Sequence, residues 1–472
     1  MLQKFRHALK RYARSAFDSA GGGRRWENAK TVDSLNAAIL SSATVSARRA
    51  GYYARNNPWV VAAVQGLVAN AVGTGIKPRS RHPDEATRKK LHALWGVWTD
   101  SADASGLTDF YGLQALAMRS MVEGGETFAR FKMNGQGRVP LQIELIDREQ
   151  VPMDLHREIV HGARIRAGIE FDANGQRVAY HCYRGRPGDP LAPVSLDLVR
   201  LPASDMIHLF QALAPGQLRG MTWLAPILLR LHELDQYEDA ALVKAKVAAL
   251  FTGFIRDPDG TVAGLNNGSG TNGVLSVGME PGSLVPLPPG ADIQFSTPAD
   301  PGDYGAYVKN HIRAIASGLG LPYEIVSGDL EGVTYSSIRA GLVEFRRRVE
   351  QIQHNVIVFQ FCRPVWERFV RLAVLAGHIP ARDFDNAPQD FLAVDWLPPK
   401  WDWVDPQKDA NAEIAQINAG LKSRSQSIAE RGYDAEEVDA AIAADKAREK
   451  AMGLSFAAPL NKTPDQGEKT NA

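Results

Sequence analysis

The sequence predicts an α+β chain that is mainly α and built from several modules. Three observations carry this expectation. Leu224, Leu228, Leu231, Leu234, Tyr237 and Ala241 recur at the three-to-four-residue spacing of a helix. Between residues 126 and 215 the apolar period drops to two, with Gly- and Asn-rich turns between the runs. Residues 253–302 then hold 10 Gly and 7 Pro with only six charged side chains, and no long helix can run through them. A length of 472 residues suits about three domains and a sizeable core without staples.

Residues 1–30 form a basic arm, with eight basic side chains against two acidic ones, and Gly21-Gly22-Gly23 reads as a flexible joint near its end. Leu2, Phe5, Leu9, Tyr12 and Ala16 recur at helical spacing among Lys4, Arg6, Lys10, Arg11 and Arg14. An arm that docks on a partner or stays mobile is the preferred reading. A mitochondrial presequence or a membrane-surface helix is the other. From Thr31 to Gly124 the pattern is helical. Asn57-Pro58 opens one helix, a second runs from Asp84 through Trp98, and a third starts with Thr108 or Asp109 as its N-cap.

Two hairpins follow. Phe128 and Phe131 precede the turn Asn134-Gly135-Gln136-Gly137, and Val139 to Ile146 answers as a strand. Ile169–Phe171, the turn 172–175 and Val178–Tyr183 form the second. A long helix from Met221 to Phe251, packed along its whole length against one neighbour, leads into the Gly/Pro module, and Asp303 to Gly318 leads out of it as a helix. After the break Gly318-Leu-Gly-Leu-Pro322 comes a loop, then a helix from Tyr335 to Ala376 that Pro364 should kink. This last helix carries seven Arg and three Glu, concentrated at Arg346, Arg347 and Arg348. A Trp-rich loop (Trp396, Trp401, Trp403) and two acidic helices between Pro406 and Met452 close the folded part, and 453–472 reads as a disordered tail.

Charge and motifs narrow the function classes. With 54 Lys+Arg against 53 Asp+Glu the formal charge is +1, which argues against a strongly basic nucleic-acid binder. Read in parts, the arm and the long helix are basic, while residues 401–450 carry 11 acids against seven bases. Cys182 and Cys362 lie far apart without a CxxC pair, so both are expected as buried free thiols. No run reaches the ~18 apolar residues of a membrane helix. There is no GxSxG elbow and no GxxxxGK phosphate loop. Gly268-Ser-Gly-Thr-Asn-Gly273 matches GxGxxG, but no strand precedes it and no helix opens after it. His232-Glu233 lacks the second His of a metalloprotease. No catalytic, metal or cofactor constellation emerges. The apolar stripes need neighbours, either in an internal bundle or in an oligomer.

Five segments, in order, bear a likeness. They are Ala50-Gly-Tyr-Tyr-Ala-Arg-Asn-Asn-Pro58 with Gly73-Thr-Gly-Ile-Lys77; the Gly168–Gly175 hairpin with Tyr180-His181; Ile207-His208 with Gly216-Gln217-Leu-Arg219-Gly220 and Leu224-Ala-Pro226; Tyr335-Ser-Ser-Ile-Arg339-Ala340; and Val404-Asp405-Pro406-Gln-Lys408 with Gly420-Leu421 and Gly432-Tyr433-Asp434. Together they make residues 40–450 resemble the tailed-bacteriophage portal proteins of the lambda type.

The resemblance implies a virion protein, made in the host cytoplasm, that forms a homo-oligomeric ring of twelve subunits at one capsid vertex. It implies a channel for double-stranded DNA and no hydrolysis by the chain itself. The partners it implies are the terminase large subunit, the major capsid protein and the head-completion or tail-connector proteins. On the family's plan, 31–220 and 335–400 would be the wing, and 221–252 and 303–320 the two stem helices. Residues 253–302 would be a small α/β clip, 321–334 the tunnel loop and 401–452 the helical crown. The loop residues Ser327, Gly328, Asp329, Leu330, Glu331 and Gly332 would then face DNA, with Asp329 and Glu331 repelling phosphate. Lys244, Lys246, Lys309 and Arg313 are the stem candidates for the bore, and Arg346, Arg347 and Arg348 are candidates for contacts between subunits. A non-viral scaffold anchored by the basic amphipathic helix is the alternative of a different class.

Overall fold

The computed structural model describes residues 34–133, 135, 137–190, 197–249, 253–256, 284–287, 304–399 and 406–454. The basic arm, the Gly268–Gly273 loop with most of the 253–302 module, Trp401, Trp403 and the 455–472 tail lie outside the described residues.

Helices α1 (Leu35–Asn56) and α2 (Pro58–Ala71) meet at Asn57. The Asn57 side chain accepts the Val60 N–H at 3.1 Å, and Pro58 takes the first helical position, where its missing N–H removes nothing. α2 buries Val60, Ala63, Val64, Leu67 and Ala71, as an apolar helix inside a core should. β1 (Lys77–Ser80) follows, a strand too short and too polar for the periodicity of 31–124 to reveal. α3 (Glu85–Thr99) is capped by Asp84, which accepts from Thr87 N–H at 2.8 Å. α4 (Phe110–Gly124) is capped by Asp109, not Thr108, through Gly112 N–H at 2.7 Å.

The period-two region forms two antiparallel sheets. β2 (Glu126–Met133) pairs with β3 (Leu141–Ile146), as the first hairpin predicts. β4 (Arg157–Glu158), β5 (Arg164–Arg166), β6 (Ile169–Phe171), β7 (Arg177–Tyr183) and β8 (Leu198–Pro202) make a five-stranded meander in chain order, with the second expected hairpin at its centre. β9 (Met206–Phe210) returns to the free edge of β2, giving the sheet order β3-β2-β9.

The next helix, α5, spans Leu228–Ala249 and starts seven residues later than the expected start at Met221. Ala225 N–H bonds the Thr222 carbonyl at 3.1 Å and Ile227 N–H the Leu224 carbonyl at 3.0 Å, a run of tight turns. Pro226 cannot donate, and it disfavours the helical conformation at Ala225. Burial along α5 is also partial. Leu231 and Leu234 are fully buried, but Leu242 and Val243 are more than half exposed, so only the first half packs on the core. β10 (Gly253–Arg256) and β11 (Leu284–Leu287) pair in parallel. α6 (Tyr304–Leu319) runs back to the core, where Ile312, Ile315, Ala316 and Leu319 are buried.

The expected loop after α6 contains a short helix, α7 (Tyr323–Ser327). α8 (Tyr335–Ile352), a π-helical stretch (Gln353–Cys362) and α9 (Arg363–Leu375) follow without interruption. A π-helical stretch of ten residues thus stands immediately before Pro364, the position at which a kink is expected. Arg363 N–H bonds the Val358 carbonyl, five residues back, and Pro364 then falls in the first turn of α9, where no N–H is required. α10 (Ala381–Asn386) and α11 (Pro388–Leu392) lead to β12 (Val394–Leu397), which carries buried Trp396 and pairs antiparallel with β1. Trp396 thus belongs to a strand and not to a loop. The C-terminal bundle has three helices where two were expected: α12 (Pro406–Asn418), α13 (Arg424–Glu430) and α14 (Ala435–Met452).

One core joins most of these elements. At its centre Trp95 of α3 meets Trp366 and Phe369 of α9 at ring-centroid distances of 5.3 and 4.9 Å, and Phe110 of α4 stacks on Phe361 at 5.9 Å. Each such buried ring contributes about 1.5–3 kcal/mol from area alone. Both cysteines are free and buried, as the sequence suggests.

Candidate functional site

The expected tunnel-loop residues and one expected stem residue are brought together at the base of α6. Gly320, at φ +65°, ends α6, and a side chain there would strike the Arg348 guanidinium that lies across it. α7 follows and is closed by Gly328 at φ +68°, whose N–H bonds the Glu324 carbonyl at 2.9 Å. The chain turns there and presents Asp329 back to α6. Lys309 Nζ donates to Asp329 Oδ2 at 2.8 Å, and the Tyr323 hydroxyl donates to the same oxygen at 3.0 Å. Oδ1 accepts the Glu331 N–H at 2.9 Å, and Ser327 Oγ accepts the Asp329 N–H at 3.1 Å. The Lys309 ammonium, the Glu331 N–H and the Tyr323 hydroxyl together hold the Asp329 carboxyl down at about 2, and Asp329 in turn raises the Lys309 pKa. The Arg313 guanidinium stands 5.4 Å from the Tyr323 ring centre. Leu330, at the loop tip, is 65% exposed.

This geometry revises the electrostatic expectation for the loop. Asp329 is not a bare repulsive charge, because Lys309 is its ion-pair partner within the same chain. Glu331, exposed beside it, is the other acid of the 327–332 segment. Lys244 and Lys246 sit on the exposed second half of α5, away from this cluster in the chain.

Arg346, Arg347 and Arg348 do not form one patch. Successive helical residues point about 100° apart, so three in a row face three ways. Arg347 is exposed and lies 3.6 Å from Glu344, Arg348 packs over Gly320 with its pKa lowered by burial, and Arg346 lines a cleft between α8 and the C-terminal helices.

A second cluster was not singled out as functional from the sequence. Glu126, at the start of β2, is fully buried and accepts from Arg219 Nε at 2.9 Å, Arg219 Nη2 at 2.7 Å, His208 Nε2 at 2.9 Å and Gly220 N–H at 2.8 Å. Arg219 also donates to the carbonyls of Val151 at 3.0 Å and Ala167 at 2.7 Å, tying both sheets to the turn before α5. Burial pushes the Glu126 pKa up, but Arg219 and His208 outweigh it and the carboxyl stays ionised. Burial lowers His208 to about 4, so its imidazole is neutral. With every charged atom satisfied, this is a structural joint and not a reactive site. Gly125 and Gly220 pass so closely that a Cβ on Gly220 would lie 2.1 Å from the Gly125 carbonyl oxygen. Arg219, Gly220 and His208 all belong to segments that carry the family likeness. The interruption of an apolar strand pattern by Glu126 was the available signal.

Among the described residues no group of His, Cys, Asp or Glu could hold a metal ion, and no helix is long and apolar enough to cross a membrane.

Comparison with known proteins agrees with the sequence likeness. The family model described as "Phage portal protein, lambda family" matches residues 22–353. The probable portal protein of Halomonas phage phiHAP-1 is 28% identical over 409 residues, covering 82% of this chain and 77% of that protein. The portal protein of Escherichia phage N15 is 24% identical, covering 95% and 92% of the two chains, and portal protein B of Escherichia phage lambda is 23% identical, covering 89% and 87%. Among solved structures, a chain of the neck of a native gene transfer agent particle matches with a TM-score of 0.43 at 15% identity, over 81% of this chain and 91% of that one. The family match spans both sheets, the Glu126–Arg219 joint, α5, α6 and the Asp329 loop: the chain belongs to the lambda family of phage portal proteins.

Proposed function

We propose that this chain is the subunit of a closed ring, of twelve copies, set at one vertex of a phage capsid as the conduit for double-stranded DNA. Residues 31–220 and 335–400 serve as its wing, 221–252 and 303–320 as its stem, 253–302 as its clip, 321–334 as its tunnel loop and 401–452 as its crown. The terminase large subunit and later the head-completion or tail-connector proteins dock on it, and the major capsid protein surrounds it. The chain itself performs no catalysis.

The observation that carries the reading is the Lys309–Asp329 pair in a chain of this family. A conduit must let a polyanion slide. Each lysine left free to meet phosphate adds a sequence-independent, salt-dependent contact, and a ring multiplies that contact by its copy number. Holding Lys309 against an ionised carboxylate on the neighbouring loop removes it from that role. The loop then offers duplex DNA a half-neutralised surface with exposed Leu330 and Glu331 at its tip. Electron microscopy of the purified chain tests the assembly, and DNA retention by the rings tests the conduit.

A further inference from the structure

We infer that one copy of the chain docks on the next by seating Leu107 in an apolar hollow between α1 and α5, with Asp109 beside Arg49. The inference rests on the ring reading above and names a contact that builds the ring.

The inserted side is the loop between α3 and α4. The buried Asp103 carboxylate accepts four hydrogen bonds there: from Ser105 N–H at 2.9 Å, the Ser105 hydroxyl at 2.6 Å, Leu107 N–H at 2.9 Å and Thr108 N–H at 3.2 Å. Gly106, at φ +67°, completes the turn, and Asp109 caps α4 through Gly112 N–H. The main chain is thus fixed on both sides of Leu107, yet that side chain is 84% exposed. A leucine held outward by a bonded loop is preorganised, so docking it costs little ordering entropy. Residues 100–109 also carry three Asp and no Lys or Arg.

The receiving side is a hollow of about 580 Å³. Arg49, Tyr52 and Tyr53 of α1 and Leu228, Leu229 and His232 of α5 line it. Tyr52 and Leu229 are 58% and 72% exposed, so the chain's own elements leave these apolar walls uncovered. Both His232 ring nitrogens are engaged, Nδ1 with the Tyr53 hydroxyl at 3.2 Å and Nε2 with Gln236 Nε2 at 3.1 Å. Arg49 has no carboxylate partner among the described residues, and no carboxylate lines the hollow. Apolar walls beside one free guanidinium suit an apolar side chain with a carboxylate close by. Leu107-Thr108-Asp109 presents that pair: one Asp109 oxygen caps α4, and Oδ2 makes no hydrogen bond among the described residues. The loop precedes α4, while the hollow lies where α1 meets the start of α5. Two different patches of like chains that fit one another make a heterologous contact, the kind that repeats into a ring.

A cysteine pair tests the contact: Leu107→Cys with Leu229→Cys in the full chain, treated with a short bismaleimide. Both positions are exposed, and native Cys182 and Cys362 are buried. The double variant should give a ladder of covalent multimers on a denaturing gel, and each single variant should stay monomeric there. The protomer concentration at which rings half-form, read by sedimentation, should rise at least about tenfold in Leu107→Asp. It should rise about fivefold in Arg49→Gln and in Asp109→Asn, which keeps the helix cap, and no further when the two are combined. Rings seen by electron microscopy without a ladder would overturn this contact, assign the hollow to another partner and leave the ring reading standing. Neither rings nor ladder would overturn both. Arg49 and Asp109 effects that simply add would overturn their pairing.

Discussion

Lys309 Nζ on α6 stands 2.8 Å from Asp329 Oδ2 on the loop that follows, and Tyr323 supplies a third polar atom to the same oxygen. A stem residue and a loop residue, each expected to meet DNA separately, are thereby made into one neutral unit. Replacing Asp329 by Asn keeps the size and removes the charge. Rings of Asp329→Asn should hold duplex DNA more tightly at low salt, and log K should fall more steeply with log salt, by about 0.9 for each phosphate newly contacted. Identical salt slopes in the two rings would show that Lys309 is not masked by Asp329.

The Glu126–Arg219 joint carries a stability prediction. Arg219→Met leaves a carboxylate with 0% exposure to the His208 imidazole, the Gly220 N–H and the Arg148 guanidinium 3.7 Å away, and it should cost about 3–5 kcal/mol, read as a lower urea midpoint. Adding Glu126→Gln to Arg219→Met should recover part of that loss, because the orphaned charge is gone.

His208 gives the pH dependence. Burial holds it at about 4, below its ordinary 6.5. Between those values the unfolded chain binds a proton that the native chain refuses. Stability from this group is therefore full above pH 6.5 and falls as the pH drops toward 4. Denaturation midpoints measured from pH 7.5 to 4.5 should decline across that window, and His208→Gln should flatten that part of the profile.

The close passage of Gly125 and Gly220 is tested by Gly220→Ala. The added methyl meets the Gly125 main chain and not a movable side chain, so about 1–3 kcal/mol should be lost to strain. Gly341→Ala, on α8 with open space around its Cβ position, should be neutral or stabilising and serves as the control.

Local chemistry made much of this fold legible in the sequence. The caps at Asn57, Asp84 and Asp109 and both hairpins follow from side chains that bond their own backbone or reverse the chain within a few residues. The β1–β12 pair was hidden because its strands are four residues long and separated by more than 300 positions. The late start of α5 shows the opposite failure: the leucine stripe continues through Leu224, but Pro226 interrupts the hydrogen bonds that a helix requires. The loop of Asp329 follows from the break at Gly318–Pro322, and Lys309 stands among the stem candidates, but their pairing was not legible, because a contact across twenty residues leaves no periodic trace. The charge balance acquires a similar reading. A near-neutral total conceals ions paired inside the chain, at Glu126 and at Asp329.

The ring is the central claim, and electron microscopy of the purified full-length chain at several salt concentrations tests it most directly. The account expects closed rings of about twelve subunits, with a central hole wide enough for a DNA duplex. A monodisperse monomer at micromolar concentration under every salt condition would contradict it.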